Sequence, residues 1–314
     1  MALEILPFSD EHLDAAAAVL ADAHARHLAA EPLLGRVDDY RAQVERQWAR
    51  EGASGALSLR DGTAAGYLIG APASNDNHGG TRIYVDIAGH ATTDPELARD
   101  LFAAAAEPWH DGGQERFAVV VPAHDTALVD AWFRVGFGLQ FATAVREATA
   151  EAPAETDVTV RPATEEDLVH LARFDRELWL HQTRSPSFSG LDVPELAVFE
   201  DDWREDTFDS PDTFWPFVVE RRGDVIGEAV MYRRPTGDLR VPAKNVDLAH
   251  AVIEPAVRGS GAGLALTAFV LRWAHEQGFR SITTDWRSVN LLSSRFWPNR
   301  GWRTTYLRLY RAVP

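Results

Sequence analysis

The run Val246-Asp-Leu-Ala-His-Ala-Val-Ile-Glu-Pro-Ala-Val-Arg-Gly-Ser-Gly-Ala-Gly263 is the most informative part of this sequence. It predicts a strand that passes through a short turn into a glycine-rich helix start. Gly259, Gly261 and Gly263 leave backbone N–H groups uncovered where the helix dipole begins, and such groups form a cradle for a pyrophosphate. Arg258 adds a fixed positive charge, so this segment is predicted to bind a phosphorylated ligand.

Two nucleotide-binding motifs are excluded for this run. A Walker A loop needs Gly-Lys-Ser/Thr, which is missing. A Rossmann fingerprint would place a third glycine where Leu264 stands, and residues 254–258 separate the strand from the glycines. Asp285 does lie where a ribose-binding acid is expected, but too little chain follows for further parallel strands.

Two motifs together resemble the GNAT superfamily of N-acetyltransferases. Arg258-Gly-Ser-Gly-Ala-Gly263 is similar to its Arg/Gln-x-x-Gly-x-Gly/Ala signature, and Asn290-Leu-Leu-Ser-Ser-Arg-Phe-Trp297 with Gly301-Trp302 is similar to its Asn-x-x-Ala-x-x-Phe-Tyr…Gly-Phe segment. The resemblance covers residues 157–314, and more weakly 1–147. It implies acetyl-CoA as co-substrate, direct acetyl transfer to a primary amine, and a set of residues that contact the coenzyme: Ile253, Arg258, Gly259, Ser260, Gly261, Ala262, Gly263 and Asn290.

The chain repeats a pattern on either side of a polar segment that contains Pro153. Ile5-Leu-Pro-Phe-Ser-Asp-Glu-His-Leu13 and Val160-Arg-Pro-Ala-Thr-Glu-Glu-Asp-Leu168 each read as strand, capping residue and helix. Both halves also close on an aromatic residue, a glycine and a strand. The sequence therefore predicts a duplication, with domains at 1–147 and 157–314 joined by a linker at 148–156.

Each half is predicted to be an α+β domain in which helices flank a mixed, mostly antiparallel sheet, so that the fold class is two tandem GNAT-like domains. In the second half, the hydrophobic pattern predicts strands at 157–162, 214–221, 225–233, 245–254, 280–286 and 302–311, and helices near 164–182, 194–205, 262–277 and 289–297.

The N-terminal copy departs from the family pattern at the loop. Gly89-His-Ala-Thr-Thr-Asp-Pro-Glu96 is a capped helix start without a glycine cradle, and its two acidic side chains would repel a pyrophosphate. We expect a degenerate copy that keeps the fold without binding coenzyme A in the family's manner.

Charge and composition limit the classes of partner that this protein is expected to bind. The 314 residues include 31 Lys and Arg against 47 Asp and Glu, a net charge of -16. Nucleic acid and anionic membranes, which need a basic surface, are disfavoured on this balance, and a cationic amine is favoured. The absence of cysteine excludes an acyl-thiol enzyme intermediate. No apolar run long enough for a membrane helix and no signal peptide are evident, so a cytoplasmic monomer or homodimer is predicted.

Acetyl transfer to an amine needs a base that removes a proton from the ammonium. Asp247 is the first candidate. His250 is the second candidate, since the pKa of histidine suits neutral pH. On a regular strand the two would face opposite sides. The resemblance implies that backbone N–H groups near Ile253 face the acetyl carbonyl. The family's usual tyrosine acid is replaced by Trp297, so either Tyr306, Tyr310 or water protonates the thiolate, or the thiolate leaves unassisted.

Two further clusters carry weaker signals. The segment between Leu191 and Thr213 contains nine acidic residues and one basic residue, which is typical of a solvated helix face but would also concentrate a cationic acceptor. His24 and His27 lie one turn apart, without a third metal ligand, and predict an exposed helix face and no metal site.

Two alternatives to an N-acetyltransferase remain open from the sequence. One is a non-catalytic acyl-CoA-binding or scaffold protein, which the tryptophan at the tyrosine position favours. The other is a transferase of a longer acyl chain.

Overall fold

The computed structural model of the protein describes residues 2–74, 81–150, 152, 156–189, 192–235 and 237–313. The chain divides into two compact units. Unit 1 contains residues 1–143, 237–240 and 304–314, and unit 2 contains residues 144–236 and 241–303. Within the predicted linker 148–156, residue 151 and residues 153–155, including Pro153, lie outside the described part of the chain.

Unit 1 combines helices and strands from most of the first half with the last strand of the sequence. Its helices are α1 (Leu13–Ala30), α2 (Tyr40–Trp48), α3 (Leu97–Asp111) and α4 (Thr126–Arg134). Its strands are β1 (Leu3–Pro7), β2 (Ser54–Arg60), β3 (Thr63–Ala73), β4 (Arg82–Val85), β5 (His90–Thr92), β6 (Arg116–Pro122), the first part of β7 (Gly138–Glu147), and β13 (Arg303–Ala312) from residue 304 onward.

The sheet of unit 1 runs in the order β1-β2-β3-β4-β6-β13, with β5 paired to β3. Neighbouring strands are antiparallel except β4 and β6, which are parallel. Strand β13 lies against β6 through pairs such as Leu309 with Val119. Leu309 is fully buried, so β13 completes this core.

Unit 2 contains the run that begins at Val246. Its helices are α5 (Leu168–Thr183), α6 (Leu196–Asp202), which continues as a π-helical turn (Trp203–Phe208), α7 (Ala262–Glu276) and α8 (Ser293–Phe296). Its strands are β8 (Val158–Pro162), β9 (Phe214–Arg221), β10 (Asp224–Tyr232), β11 (Asn245–Ile253) and β12 (Ser281–Arg287), together with the end of β7 from residue 144.

The sheet of unit 2 runs in the order β7-β12-β11-β10-β9-β8. The β8–β9, β9–β10 and β10–β11 pairs are antiparallel, and β11–β12 is parallel. Side chains of α5, α6, β9 and β10 form one apolar layer on this sheet: Leu171, Ala172, Phe199, Trp203, Val218 and Val230. On α7, Trp273 and Phe269 contact Phe217.

The two halves begin with the same local device. In the first half, the backbone N–H of Ser9 donates to the imidazole of His12. In the second half, the backbone N–H of Thr164 donates to the carboxylate of Asp167. Each bond closes the turn that leads into the first long helix, which is the role of a capping box.

The predicted fold class is confirmed: both units are α+β, with mixed, mostly antiparallel sheets flanked by helices. The sequence analysis divides the chain into two successive domains that end at residue 147 and begin at residue 157. This division into two copies of a repeat stays a prediction. The compact units cross it, because residues 306–312 pair with β6 and residues 237–240 lie in unit 1. A boundary drawn along the sequence does not register such long-range pairing.

Candidate active site

The strands β11 and β12 separate halfway along β11. Their parallel ladder joins Asn245 to Ser281 and ends where Leu248 pairs with Thr284. Beyond that point, within the described ranges, β11 pairs only with β10, and a register shift there leaves Ala249 as a bulge. A bulge bends a strand and redirects its edge. One edge of β11 is therefore open from residue 249 to its end.

The open edge exposes backbone N–H groups. The N–H of Glu254 donates to the carbonyl of Ile226 on β10, at 2.9 Å. Because bonding groups alternate along an antiparallel pair, the polar groups of Ile253 and Ala251 point away from β10. The contact of the Ile253 carbonyl with Nε of Arg258, at 3.0 Å, agrees with this direction. Two N–H groups are thus directed towards the gap between the strands.

The glycine loop forms the second set of free donors. Gly259 and Gly261 have φ angles of 82° and 93°, a conformation that favours glycine. In the described part of the chain, the N–H groups of Gly259, Gly261, Ala262 and Gly263 donate to no acceptor. They lie at the start of the 15-residue helix α7, where the positive end of the dipole adds to them. A Cβ on Gly259 would meet nothing within 4 Å, so the cradle is open.

A single cleft of about 420 Å³ connects the open edge and the glycine loop. Six of the predicted coenzyme residues line it: Ile253, Arg258, Gly259, Gly261, Gly263 and Asn290. Of the other two, Ala262 is buried at the start of α7, and the hydroxyl of Ser260 is buried without a partner among the described residues. The free amides and this hydroxyl are the donor set that a pyrophosphate requires, so the residues fit coenzyme A.

Asn290 has a structural task as well as a place in the cleft. Its Oδ1 accepts from the N–H groups of Leu292 and Ser293, at 3.1 and 3.4 Å, and so caps the turn that leads into α8. His181 of α5 also lines the cleft, with Nε2 at 3.4 Å from the same oxygen. Asn290 therefore both caps this turn and lines the cleft.

Asp247 does not have the free carboxylate that the base hypothesis needs. It is 4% exposed, accepts from the hydroxyl of Thr283 at 2.7 Å, and pairs with Arg234 at 2.9 Å. These bonds explain an acidic residue in a buried strand. Asp247 is therefore corrected from candidate base to structural residue.

The prediction that Asp247 and His250 face opposite sides is also wrong. Asp247 pairs with Tyr232 and His250 with Val230, and these two partners are alternate residues of β10, on one face. The bulge at Ala249 inserts one extra residue between them, which restores the same side.

Tyr306 does not lie in this cleft. It belongs to β13 in unit 1, where it is 1% exposed and its hydroxyl donates to the carbonyl of Leu239 at 3.3 Å. Burial raises the pKa of its phenol well above the usual value. Tyr306 is therefore corrected from candidate acid to core residue. The prediction fails because the strand that carries Tyr306 completes the other unit.

His250 has the environment of a base. Its side chain is 24% exposed, and its Nδ1 lies 3.0 Å from Oε1 of Glu228, which is fully buried. Burial by itself lowers the pKa of His250, but the Glu228 carboxylate, the hydrogen bond to it and Asp175 outweigh burial and raise the pKa to about 9. The sequence-based expectation of a pKa near neutrality is thus corrected upward.

Sequence reasoning missed Glu228 and Asp175, and it did not place Trp203 beside His250. Burial raises the pKa of both carboxyl groups, and the ring of Trp203 lies edge-on to His250 with centroids 5.9 Å apart. One signal was present: Glu228 is the acidic residue inside the apolar run Asp224–Tyr232, at a position that faces the core. A buried carboxylate in a strand requires a partner, and that partner is the histidine.

Trp297 lines the cleft and is 8% exposed, with its ring against that of Trp302 at 5.0 Å. Trp297 thus forms part of the wall of the cleft. In the acidic segment, Arg204 pairs with Asp201, while Phe199 and Trp203 are buried. The aromatic residues there thus include core residues.

His24 and His27 are buried, at 4% and 2% exposure, which corrects the prediction of an exposed helix face. The ring of His27 stacks on that of His124, with centroids 4.6 Å apart. Among the residues described, no group of three or more His, Asp or Glu side chains is arranged to hold a metal ion.

None of the helices in the described ranges combines the length and apolar character that crossing a bilayer requires.

Comparisons with known proteins agree with this geometry. A sequence model of the acetyltransferase (GNAT) family matches residues 176–302, which contain the open strand edge, the glycine loop and Asn290. This region of the chain is therefore similar to the GNAT family. A search of curated proteins found no match.

Two solved structures share the fold across the chain. A GCN5-related N-acetyltransferase from Sphaerobacter thermophilus is 14% identical, with a TM-score of 0.59, over 99% of this chain and 95% of that one. A GCN5-related glucosamine N-acetyltransferase region of a fungal multi-domain GH3 beta-N-acetylglucosaminidase is 14% identical, with a TM-score of 0.58, over 98% of this chain and 38% of that one. The GNAT fold therefore extends over both halves.

Proposed function

We propose that the protein is an acetyl-CoA-dependent N-acetyltransferase that transfers an acetyl group directly to a primary amine of a small molecule or peptide. The observation that carries this proposal is one cleft in which free amides of the glycine loop and N–H groups of Ala251 and Ile253 converge. The first set suits the pyrophosphate of the coenzyme. The second suits the oxyanion that forms when an amine attacks a thioester.

The reaction needs no enzyme nucleophile. The amine nitrogen bonds to the thioester carbonyl carbon, and the oxygen becomes an oxyanion that accepts hydrogen bonds from Ala251 and Ile253. The carbon–sulfur bond then breaks and coenzyme A leaves as a thiolate. His250 has by then taken one proton from the ammonium, and the second proton that the nitrogen loses passes to the departed thiolate. A thiolate is a tolerable leaving group because thiols have a pKa near 8.5, about two units below that of an alkyl amine, so its departure requires no general acid.

A cationic acceptor suits the surroundings of His250. Asp175 and Glu228 are carboxyl residues beside it, and Asp202 adds negative charge near Asp175. An alkyl ammonium is attracted to such a site before it loses its proton. Because one structural neighbour is described as a glucosamine N-acetyltransferase region, amino sugars belong in the acceptor screen together with polyamines and lysine peptides.

The N-terminal copy is proposed not to bind coenzyme A. Helix α3 starts after Asp94 and Glu96, and Glu96 is engaged by Arg134 and Arg99. A small cavity of about 40 Å³ in unit 1 is lined by His24, His27, His90 and His124 among others. The start of α3 thus carries carboxylates instead of a glycine cradle, and a cavity of about 40 Å³ is too small for a coenzyme.

The experiment is a screen in which amines are offered with acetyl-CoA and free thiol is measured. An N-acetyltransferase releases thiol in an amine-dependent way, whereas a binding or scaffold protein is stabilised by acetyl-CoA without turnover. Longer acyl-CoAs in competition distinguish the acyl chain length. Release of thiol at the background rate with every amine refutes the proposal.

The coenzyme loop is tested by Gly261→Asp, with Gly278→Asp as the matched control. Both glycines have positive φ, of 93° and 80°, and they flank the two ends of α7. A carboxylate at Gly261 repels a pyrophosphate, so stabilisation by acetyl-CoA in a thermal shift assay is lost. At Gly278 the same change costs similar backbone strain but leaves the stabilisation. Equal coenzyme binding by the two variants contradicts the cradle.

A further inference from the structure

Glu228 and His250 meet on the face of the sheet that is covered by α5 and α6. Glu228 pairs with Val252, and His250 with Val230, so the two side chains are diagonal neighbours on adjacent strands. This places Oε1 of Glu228 at 3.0 Å from Nδ1 of His250.

Packing does not explain why a carboxylate occupies this position. Glu228 is fully buried next to apolar neighbours, and its Oε2 has no hydrogen-bond partner in the described part of the chain. Its Oε1 bonds to an imidazole rather than to a guanidinium or ammonium group. A buried carboxylate of this kind costs free energy that an apolar side chain of the same size would not. Its presence therefore indicates a task connected with His250.

The contact fixes the state of the imidazole. A carboxylate accepts, so the hydrogen of neutral His250 lies on Nδ1 and the lone pair on Nε2. Within the described ranges Nε2 makes no hydrogen bond, and the side chain is 24% exposed while the edge of Trp203 lies beside the ring. Nε2 is thus the basic atom of the ring that is left without a partner among the described residues; His250 itself is not among the residues that line the cleft, while the next residue, Ala251, is.

The charges around His250 come from three elements. Glu228 stands on β10, Asp175 faces it from α5, and Asp202 of α6 acts on Asp175. The neighbour from the π-helical turn, Trp203, is uncharged. The carboxylates raise the pKa of His250 to about 9 against the opposing effect of burial.

We propose that Glu228 is a positioning residue, which orients His250 so that Nε2 takes the proton from the acceptor ammonium during acetyl transfer. The proposal rests on the proposed N-acetyltransferase function. The N–H bond of the ammonium breaks, its proton bonds to Nε2, and its electron pair becomes available for the thioester carbon. Glu228 takes no proton and stabilises the imidazolium that results, as a carboxylate does behind a catalytic histidine.

The test compares wild type, Glu228→Gln and the control Glu220→Gln. Glu220 lies on β9, 25% exposed, and binds Arg161 rather than His250. Two readouts are taken: the NMR titration of the His250 imidazole, and the pH dependence of kcat/KM for amine acetylation. In the wild type both midpoints are expected near pH 9. In Glu228→Gln both fall by more than two units, because burial then acts without a compensating carboxylate, and KM for acetyl-CoA stays unchanged. Glu220→Gln leaves both midpoints in place.

The outcomes separate the two proposals. A wild-type midpoint below 6.5, or an active Glu228→Gln variant with unshifted midpoints, overturns the role of Glu228 and leaves the proposed function intact. A wild type that acetylates no amine, although His250 titrates near pH 9, overturns the proposed function and the catalytic role of Glu228 with it. The titration of wild type needs no substitution, so the proposal stays refutable even if a variant misfolds.

Discussion

Acid is expected to destabilise unit 1 through His24 and His27. Both lie buried on α1, where His24 contacts the hydroxyl of Tyr40 at 3.0 Å and His27 stacks on His124. Burial, with a smaller effect of Arg36, lowers the pKa of His24 from 6.5 to about 4. Burial, followed by the charges of His124 and His24, lowers the pKa of His27 from 6.5 to about 3.

The direction of the change in stability depends on whether the folded or the unfolded chain binds more protons at a given pH. Above pH 6.5 both states are neutral at these residues, and their contribution to stability is fully present. As the pH falls below 6.5, the two histidines bind protons in the unfolded chain. In the folded chain they stay neutral until the pH approaches about 4 for His24 and about 3 for His27, so the free energy of unfolding decreases between pH 6.5 and these values. At pH 5 the loss is about 2 kcal/mol for each residue, from about 1.4 kcal/mol per pH unit.

Urea denaturation at pH 7 and pH 5 measures this loss. Wild type is expected to lose about 4 kcal/mol from the two residues together, and His27→Gln about half of that, whatever its stability at pH 7. His110 is exposed on α3, so His110→Gln is the control and keeps the wild-type loss. If His27→Gln shows the same difference between the two pH values as wild type, the reasoning about buried neutral histidines is refuted.

Three further predictions concern other parts of the chain. Leu239→Ala should destabilise unit 1 by about 2–5 kcal/mol in urea denaturation, because this leucine is 1% exposed in its core; an effect below about 1 kcal/mol would contradict that burial. In wild type, kcat/KM for amines should rise about tenfold per pH unit from pH 7 and level off near pH 9, because neutral His250 is the active form; a profile that is flat from pH 7 argues against His250 as base. Asp247→Asn should lower the thermal midpoint, since Asp247 binds Thr283 and Arg234, and should leave the midpoint of the pH–rate profile in place; a shift of that midpoint relative to wild type would restore Asp247 as base.

Local features were predictable from the sequence. The glycine loop, the strand before it and the helix after it depend on residues close in the chain, and Ala262 does begin a helix. The six strands of the second half lie within one or two residues of the predicted ranges. The chemistry of the cleft follows because these backbone positions determine which amides are free.

Features that depend on distant parts of the chain were not predictable. One inserted residue, Ala249, reverses the facing of His250 relative to Asp247, and no alternation rule reveals a bulge without the partner strand. His24 and Tyr306 are buried because other elements cover them. The contact of Glu228 with His250 depends on the pairing of β10 with β11, which the sequence does not give.

The place of β13 in unit 1 has a consequence for how the protein is made. Residues 304–314 leave the ribosome after the rest of unit 1, yet Leu309 fills a core whose other members were translated far earlier. Until then the edge of β6 has no partner from this strand and is open to aggregation. A gene truncated at the linker would therefore yield neither unit intact, and the two halves have to be inherited, expressed and engineered as one polypeptide.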